Sequence, residues 1–199
     1  MLKILLIDSN YYQMFGLSLL IYEQLSDEHL DVCFLLPSAK EHTDEPNIVF
    51  RNDMVTINIF NKRRIRGSSD TPRKEKITIH VPFLSRKHTL NEISTKIRKI
   101  LAIACADYNV LINKESAYWY FGLKKYSQLS DSENDVMLLI GRGYNSTDIS
   151  KILNRSRKTI STHYRNASRK MGAANRAEFY RYASFIANCG RDERNTLCL

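Results

Sequence analysis

Residues 156–170, S-R-K-T-I-S-T-H-Y-R-N-A-S-R-K, carry side chains whose types suit contact with a nucleic acid. The guanidinium of Arg165 can donate paired hydrogen bonds to guanine, while Ser161 and Thr162 can hydrogen-bond to bases or contact a thymine methyl group. Side chains that suit phosphate oxygens surround these three: Arg157, Lys158, Thr159, Arg169 and Lys170. Taken alone, this chemistry suits any polyanion, and it is the helix-turn-helix arrangement of the surrounding residues that makes double-stranded DNA the expected partner.

The same residues have the spacing of a helix that buries one narrow stripe. Ser156, three positions before Thr159, is a helix-start signal. The stripe consists of Ile160, Tyr164, Ala167 and Met171. The polar side chains fall off this stripe, which predicts a helix over residues 157–170 with one face on a small core and the other exposed. His163 has no accompanying second ligand, so no metal site is predicted.

Three further short helices are predicted around this one, at residues 133–142, 146–153 and 175–187. Each start combines a capping side chain with an acid three positions later: Ser130 with Glu133, Asn145 with Asp148, and Asn175 with Glu178. Gly143 supplies a positive-φ stop, and Asn154 suits the tight turn that precedes residues 157–170. The four helices predict a helix-turn-helix domain whose third helix enters the DNA major groove.

The spacing of residues in this region resembles a known family. The pattern L-S-x-x-E-x-x-V-M…G-x-x-x-x-x-I-S-x-x-L-x-x-S-x-K-T-I-x-x-H-x-x-N-x-x-x-K-M…N-R-A-E runs without a gap over residues 129–178. It resembles the C-terminal domain of LuxR-type regulators, the NarL/FixJ group. The resemblance implies a four-helix DNA-binding domain that dimerises through its last helix. It also implies base contacts at Ser161, Thr162 and Arg165, and backbone contacts at Lys158, Thr159, Asn166 and Lys170.

The N-terminal half has the pattern of an α/β domain. Apolar runs rich in β-branched residues predict strands at residues 3–7, 31–36, 48–50, 55–60 and 77–83. Helical spacing predicts helices at residues 11–25 and 89–106, the second beginning at Thr89 with Glu92 at the capping-box position. Residues 61–75 contain glycine and proline but no apolar stripe, which favours a loop or an antiparallel hairpin over a crossover helix.

The opening K-I-L-L-I-D-S-N-Y-Y-Q-M-F-G-L resembles the start of a response-regulator receiver domain. Phosphoryl transfer to a receiver needs an acceptor Asp, a pair of acids for Mg²⁺ and a Lys. Asp8 has no acidic neighbour because Ser9 occupies the second position, and Ser85 lies where the Lys is expected. Phosphorylation of Asp53 is the less favoured alternative. We expect a degenerate, non-phosphorylated receiver-like domain, similar to Rcs-type auxiliary regulators that pair with another LuxR-type protein.

The loss of periodicity after residue 106 predicts a domain boundary. We expect an α/β receiver-like domain at residues 1–106, a linker at 107–126, an all-α four-helix helix-turn-helix domain at 127–187 and a tail at 188–199. An aromatic cluster, Tyr118, Trp119, Tyr120 and Phe121, lies in the linker. We interpret this cluster as inter-domain packing, with a base-stacking platform as the alternative.

Composition restricts the classes of function. The formal net charge of +9 would attract a polyanion. The chain has four cysteines without a C-x-x-C pair, no apolar run near the ~20 residues that span a bilayer, and no signal-peptide pattern. These features predict a cytoplasmic protein without a membrane partner. No catalytic residue, metal site or cofactor is predicted, and we do not expect an enzyme.

The sequence thus predicts a sequence-specific DNA-binding regulator of bacterial transcription that acts without phosphorylation. We expect it to work as a homodimer or as a heterodimer with another LuxR-type regulator. Two alternatives stay open. One is an auxiliary interaction protein that modulates another LuxR-type regulator by heterodimerisation, and the other is a ligand-sensing regulator.

Overall fold

The computed structural model describes residues 1–8, 10–26, 31–35, 45–61, 75–83, 88–190 and 195–199. The N-terminal elements are β1 (Leu2–Ile7), α1 (Tyr11–Ser26), β2 (Val32–Leu35), β3 (Ile48–Arg51), β4 (Met54–Phe60), β5 (Lys76–Pro82) and α2 (Leu90–Cys105). They are followed by α3 (Tyr108–Ile112), α4 (Lys114–Tyr120), α5 (Asp131–Gly141), α6 (Ser146–Ile152), α7 (Arg157–Lys170) and α8 (Arg176–Ala187). Ser9, Ser85 and most of the predicted connection at 61–75 lie outside the described residues.

The strands of the described chain form one mixed sheet with the order β2-β1-β3-β4-β5. β1 pairs in parallel with β2 and β3, whereas β4 pairs antiparallel with β3 and with β5. This strand order is that of the flavodoxin-like folds, to which receivers belong. The antiparallel β4–β5 pair agrees with the prediction that no crossover helix separates these strands.

A two-residue turn reverses the direction of β4. Arg51 pairs with Met54, so only Asn52 and Asp53 connect β3 to β4. Asn52 has a φ of 51°, in the left-handed region that asparagine tolerates better than most residues. A parallel β4 would need a crossover of a dozen or more residues at this point. The tight turn therefore leaves no helix between β3 and β4.

One face of the sheet carries the main core. Successive side chains of a strand point to opposite faces, and the register partners Ile4, Ile48 and Ile57, on three neighbouring strands, are completely buried. They pack in one cluster with Ile21 of α1 and Ile97 of α2. The opposite face is more polar, with Asn58, Thr78 and His80 buried on β4 and β5. Helices α1 and α2 thus cover the apolar face and leave the polar face to other contacts.

The segment predicted as a linker contains the two short helices α3 and α4. Asp107 caps α3 by accepting a 2.7 Å hydrogen bond from the Asn109 backbone N–H, and Asn113 caps α4 in the same way. Leu111 of α3 and Ala117 of α4 are buried in the main core. Much of this segment therefore packs as part of the N-terminal domain.

The aromatic cluster of α4 divides into two pairs. Tyr118 and Phe121 pack against the main core, whereas Trp119 and Tyr120 are 85% and 60% exposed. The interpretation as inter-domain packing is wrong for Trp119 and Tyr120, because α4 turns both side chains toward solvent. No contact tests the alternative of base stacking.

Contacts from the polar side of the sheet join the two domains. Met54 packs in the same cluster as Phe179 of α8. The Arg181 guanidinium donates a 3.0 Å hydrogen bond to Asp53 Oδ2, and the rings of His80 and Phe185 lie edge to face with centroids 5.8 Å apart. Helix α8 therefore contacts the N-terminal domain as well as its own.

The residues predicted as a tail return to the sheet. The His80 N–H donates to the Asn195 carbonyl at 2.8 Å, and the Leu197 N–H donates to the His80 carbonyl at 2.9 Å. The Gln128 side chain both donates to the Cys198 carbonyl and accepts from the Cys198 N–H, each at 2.9 Å. Residues 195–199 thus link the edge of β5 to the start of the C-terminal domain.

Candidate nucleic-acid interface

Side-chain caps fix the starts of the four C-terminal helices. The Ser130 N–H donates to Glu133 Oε2 at 2.8 Å, and the Glu133 N–H donates to Ser130 Oγ at 3.3 Å, which completes the predicted capping box of α5. Asn145, Ser156 and Asn175 cap α6, α7 and α8. These bonds satisfy backbone N–H groups that a helix start leaves unpaired. The predicted helix starts are confirmed.

A tight turn sets α6 against α7. Asn154 has a φ of 49°, and the Arg155 N–H donates to the Ser150 carbonyl at 2.9 Å. Ser156 Oγ then accepts a 3.1 Å hydrogen bond from the Thr159 N–H at the start of α7. Gly143, with a φ of 91°, ends α5 as predicted. The predicted helix-turn-helix geometry is present.

Helix α7 keeps one stripe on the core of the C-terminal domain. Ile160 is buried with Val136 of α5 and Ile149 of α6, which joins three helices. Ala167 is completely buried, and the Tyr164 ring lies 5.0 Å from that of Phe179, edge to face. The predicted stripe is confirmed, and it determines which side of α7 faces solvent.

The opposite side of α7 presents a continuous polar surface. At 100° per residue, the side chains that project within an arc of roughly 140° are Arg157, Lys158, Ser161, Thr162, Arg165, Ser168 and Arg169. All four basic side chains of this surface are exposed. Thr159, Asn166 and Lys170 lie beside the arc, on its flank. The structure therefore places the three predicted base-reading residues on one face of α7, interspersed with the predicted phosphate-binding residues Arg157, Lys158 and Arg169.

Two of the predicted base-reading residues contact each other. Arg165 Nε donates to the Ser161 carbonyl at 3.3 Å, and its guanidinium reaches Ser161 Oγ at 3.4 Å. Thr162 Oγ1 donates to the Lys158 carbonyl at 3.0 Å. These bonds are exposed and local, so each can be exchanged for a bond to a base without uncovering a buried group. The Ser161–Arg165 contact was not predicted, although the spacing of four residues indicates it.

Lys170 has a second set of contacts that the sequence did not reveal. Its ammonium donates to Glu133 Oε2 at 2.7 Å and to the Gln128 carbonyl at 2.8 Å. Burial raises the pKa of Glu133, but the hydrogen bonds from Lys170 and from the Ser130 backbone outweigh it and hold that pKa below its ordinary value. The predicted phosphate contact of Lys170 stays a prediction, while its contact with α5 is a feature of the fold.

A family comparison matches this region. Residues 127–183 match the family described as bacterial regulatory proteins, luxR family, also called GerE. This segment is a LuxR-family domain. It begins before the capping box of α5 and extends into α8, so it includes all of the polar surface of α7.

Solved structures of the response regulator RcsB align with most of the chain. RcsB from Salmonella enterica serovar Typhimurium, in a structure bound to promoter rprA in the presence of phosphomimetic BeF3−, is 16% identical over 92% of this chain and 98% of that chain, with a TM-score of 0.33. A structure of two RcsB dimers bound to two parallel DNAs is 19% identical with the same coverage and a TM-score of 0.32. No curated protein sequence matches the chain.

Asp8 and Asp53, the two acids considered for a receiver-like phosphorylation site, have different surroundings. Asp8 follows β1 and lines a cavity of about 260 Å³ together with Asn52 and Phe50. Asp53 does not line that cavity, and its carboxylate is bound by Arg181 of the LuxR-family domain. The Asp53 carboxylate therefore contacts α8, whereas Asp8 lines the cavity beside β1.

The LuxR-family domain has no metal-binding group within the described residues. More broadly, the described ranges contain no cluster of three or more His, Cys, Asp or Glu side chains that could hold a metal ion. Among the described helices, none has the length and apolar character that crossing a membrane requires.

Proposed function

We propose that this protein is a sequence-specific DNA-binding regulator of bacterial transcription. The observation that carries the proposal is the exposed polar surface of α7, held on a capped helix-turn-helix frame. Ser161, Thr162 and Arg165 would contact bases in the major groove. The residues that would contact the DNA backbone are Arg157, Lys158, Thr159, Asn166, Arg169 and Lys170. Because bacterial DNA lies in the cytoplasm, we propose that the protein acts there.

To test this proposal, the purified full chain is first used to select the genomic DNA fragments that it binds. Replacing Arg165 with alanine should weaken binding to a selected fragment by about 5- to 150-fold, equivalent to 1–3 kcal/mol, because one base contact is lost. Binding to random DNA should change much less. Arg51→Ala, which removes an exposed arginine from β3, is the matched control and should leave both affinities unchanged. An Arg165→Ala protein that binds selected and random DNA like the parent would contradict the proposed base contact.

We also propose that the protein acts without phosphorylation. Two contacts support this: Arg181 binds the Asp53 carboxylate, and Asp8 Oδ1 accepts a 2.9 Å hydrogen bond from the Asn10 N–H. Incubation with acetyl phosphate should leave the mass of the protein and its DNA affinity unchanged. A phosphoryl adduct that disappears in Asp53→Asn, together with a change in DNA affinity, would contradict this part of the proposal.

Dimerisation is supported by an unusually apolar exposed side of α1. Five large side chains of this helix are 55–86% exposed: Tyr11, Tyr12, Phe15, Leu19 and Tyr22. Contiguous exposed apolar surface of this kind often marks a protein contact. We propose that α1 contributes to a homodimer or a heterodimer, together with the dimer contact that the LuxR resemblance implies for α8.

The oligomer is tested by light scattering of the full chain. Tyr12→Asp should shift a dimer toward monomer, whereas Tyr126→Asp, at a residue 73% exposed outside α1, should not. A parent protein that is monomeric, binds no selected DNA alone, and joins a second LuxR-type regulator through Tyr12 would favour the auxiliary function. Equal behaviour of the parent and both variants would contradict a role for α1.

A further inference from the structure

A basic cleft lies between α2 and the C-terminal end of α7. Its volume is about 490 Å³, within the range of cavities that hold small molecules. Its lining includes the cationic residues Lys96, Lys99, Arg169 and Lys170 and one acidic side chain, Glu92, beside Leu199, the last residue of the sequence. The cleft is formed by both domains, since α2 belongs to the N-terminal domain and α7 to the LuxR-family domain.

Most of the positive charge of the cleft is not neutralised by ion pairs. Glu133 pairs with Lys170, but among the described residues no carboxylate lies within ion-pair distance of Lys96, Lys99 or Arg169. The Glu92 carboxylate accepts hydrogen bonds of 2.8 and 3.0 Å from Thr89 at the start of α2, and it lies beyond ion-pair distance of these three cations. The described part of the cleft therefore has an excess of cations.

A short polar chain holds the ammonium of Lys96 in place. Lys96 Nζ lies 3.2 Å from His88 Nε2, and His88 Nδ1 lies 3.6 Å from Glu92 Oε2. An ammonium can only donate, so a charged Lys96 requires Nε2 to accept and His88 to be neutral. Burial and the nearby Lys96 lower the pKa of His88, which agrees with this assignment.

The environment of Lys96 favours an anion. Burial lowers the pKa of Lys96, which means that its charge is poorly compensated by water. An anion in the cleft would restore that compensation and accept charge-assisted hydrogen bonds from Lys96 and Arg169.

We propose that this cleft binds a small phosphate-bearing molecule of up to nucleotide size. Phosphate offers several acceptor oxygens to converging ammonium and guanidinium donors. The concave shape of the cleft suits a small molecule better than the convex surface of duplex DNA. The proposal goes beyond the DNA-binding function and does not depend on it.

Isothermal titration of the full chain at about 0.15 M salt, where exposed charges are screened, tests the proposal. The probes are ATP, AMP, pyrophosphate, inorganic phosphate and, as an uncharged comparison, adenosine. At least one phosphate-bearing probe should bind saturably with one site per chain, and adenosine should not. Strong binding of pyrophosphate would identify the phosphates as the recognised group, whereas binding of ATP alone would show that the nucleoside is also recognised.

Lys96→Met and Lys99→Met should each weaken this binding by at least about tenfold, the effect of losing one charge-assisted hydrogen bond. Lys124→Met removes an exposed lysine outside the cleft and should change the affinity less than about twofold. Circular dichroism checks the fold of each variant. One correctly folded cleft variant is enough to test the proposal. The proposal is overturned by absence of saturable binding, by equal weakening in Lys124→Met, or by cleft variants that lower only the affinity for duplex DNA.

Discussion

Lys170 Nζ lies 2.7 Å from Glu133 Oε2, in a contact that leaves the two side chains only 17% and 6% exposed. The ammonium also donates to the Gln128 carbonyl, just before α5 begins. A residue predicted from the sequence to hold a phosphate therefore joins the end of α7 to the start of α5. This contact gives Lys170 a role in stability, whether or not it also contacts DNA.

Replacing Lys170 with methionine should lower the free energy of unfolding by about 3 kcal/mol, because the largely buried Glu133 carboxylate loses its partner. Urea denaturation followed by circular dichroism measures this loss. Lys158→Met, at an exposed position of the same helix, should change stability by less than about 0.5 kcal/mol. Equal stability of the two variants would contradict the importance of the ion pair.

The pH dependence of stability gives a separate test of the same pair. The pKa of Glu133 is held below its ordinary value of 4.5, so the folded protein binds a proton at this group less readily than the unfolded chain. The resulting stability is fully present above the unfolded pKa and is lost as pH falls through the folded pKa. The stability difference between the parent and Glu133→Gln should therefore shrink as pH is lowered from about 6 to about 3. A difference that stays constant over this range would show that Glu133 does not titrate as proposed.

Gly141 is required by the packing of α5 against α8. A Cβ atom at this position would overlap the Ala183 carbonyl group of α8. Gly141→Ala should destabilise the protein by about 2–3 kcal/mol or more, because backbone must move to relieve the overlap. Gly16→Ala in α1, where a Cβ atom meets nothing within 4 Å, should instead be neutral or stabilise by up to about 1 kcal/mol. Thermal unfolding of the two variants, followed in parallel, distinguishes the positions.

Lys158 should contribute to DNA affinity through phosphate rather than base contacts. Lys158→Met should weaken binding to selected and random DNA alike and make the slope of log K against log salt shallower by about 0.9. Lys124→Met, which removes the same charge outside α7, should leave the slope unchanged. Titrations of labelled duplex at several salt concentrations measure it. Identical slopes for Lys158→Met and the parent would exclude a phosphate contact by this lysine.

The C-terminal helices could be predicted from the sequence because their determinants are local. The two residues of the α5 capping box, Ser130 and Glu133, are three positions apart. The turn before α7 depends on the positive φ of one residue, Asn154. The stripe of α7 follows from helical period alone. Such patterns are contained in a short window of chain and do not depend on which elements later meet. The placement of the predicted base-reading residues on one exposed face is of this kind.

Contacts between distant residues could not be predicted in this way. Asp53 and Arg181 are 128 residues apart, and nothing in the pattern around either residue indicates the other. The return of Thr196 to His80 on β5 is another such pairing. For Gly141, a glycine inside a helical pattern was a usable signal, since it often marks close packing. The division of the aromatic cluster required the direction of α4 relative to the sheet.

Trp119 is the sole tryptophan of the chain, and it is 85% exposed on α4. Its fluorescence therefore reports the solvent around one surface position rather than the state of either core. Because the indole is already in water, unfolding should change its emission maximum little. A macromolecule that covers α4 should shift the emission to shorter wavelength. The protein thus carries a built-in optical probe for partners that dock beside α4, without any label.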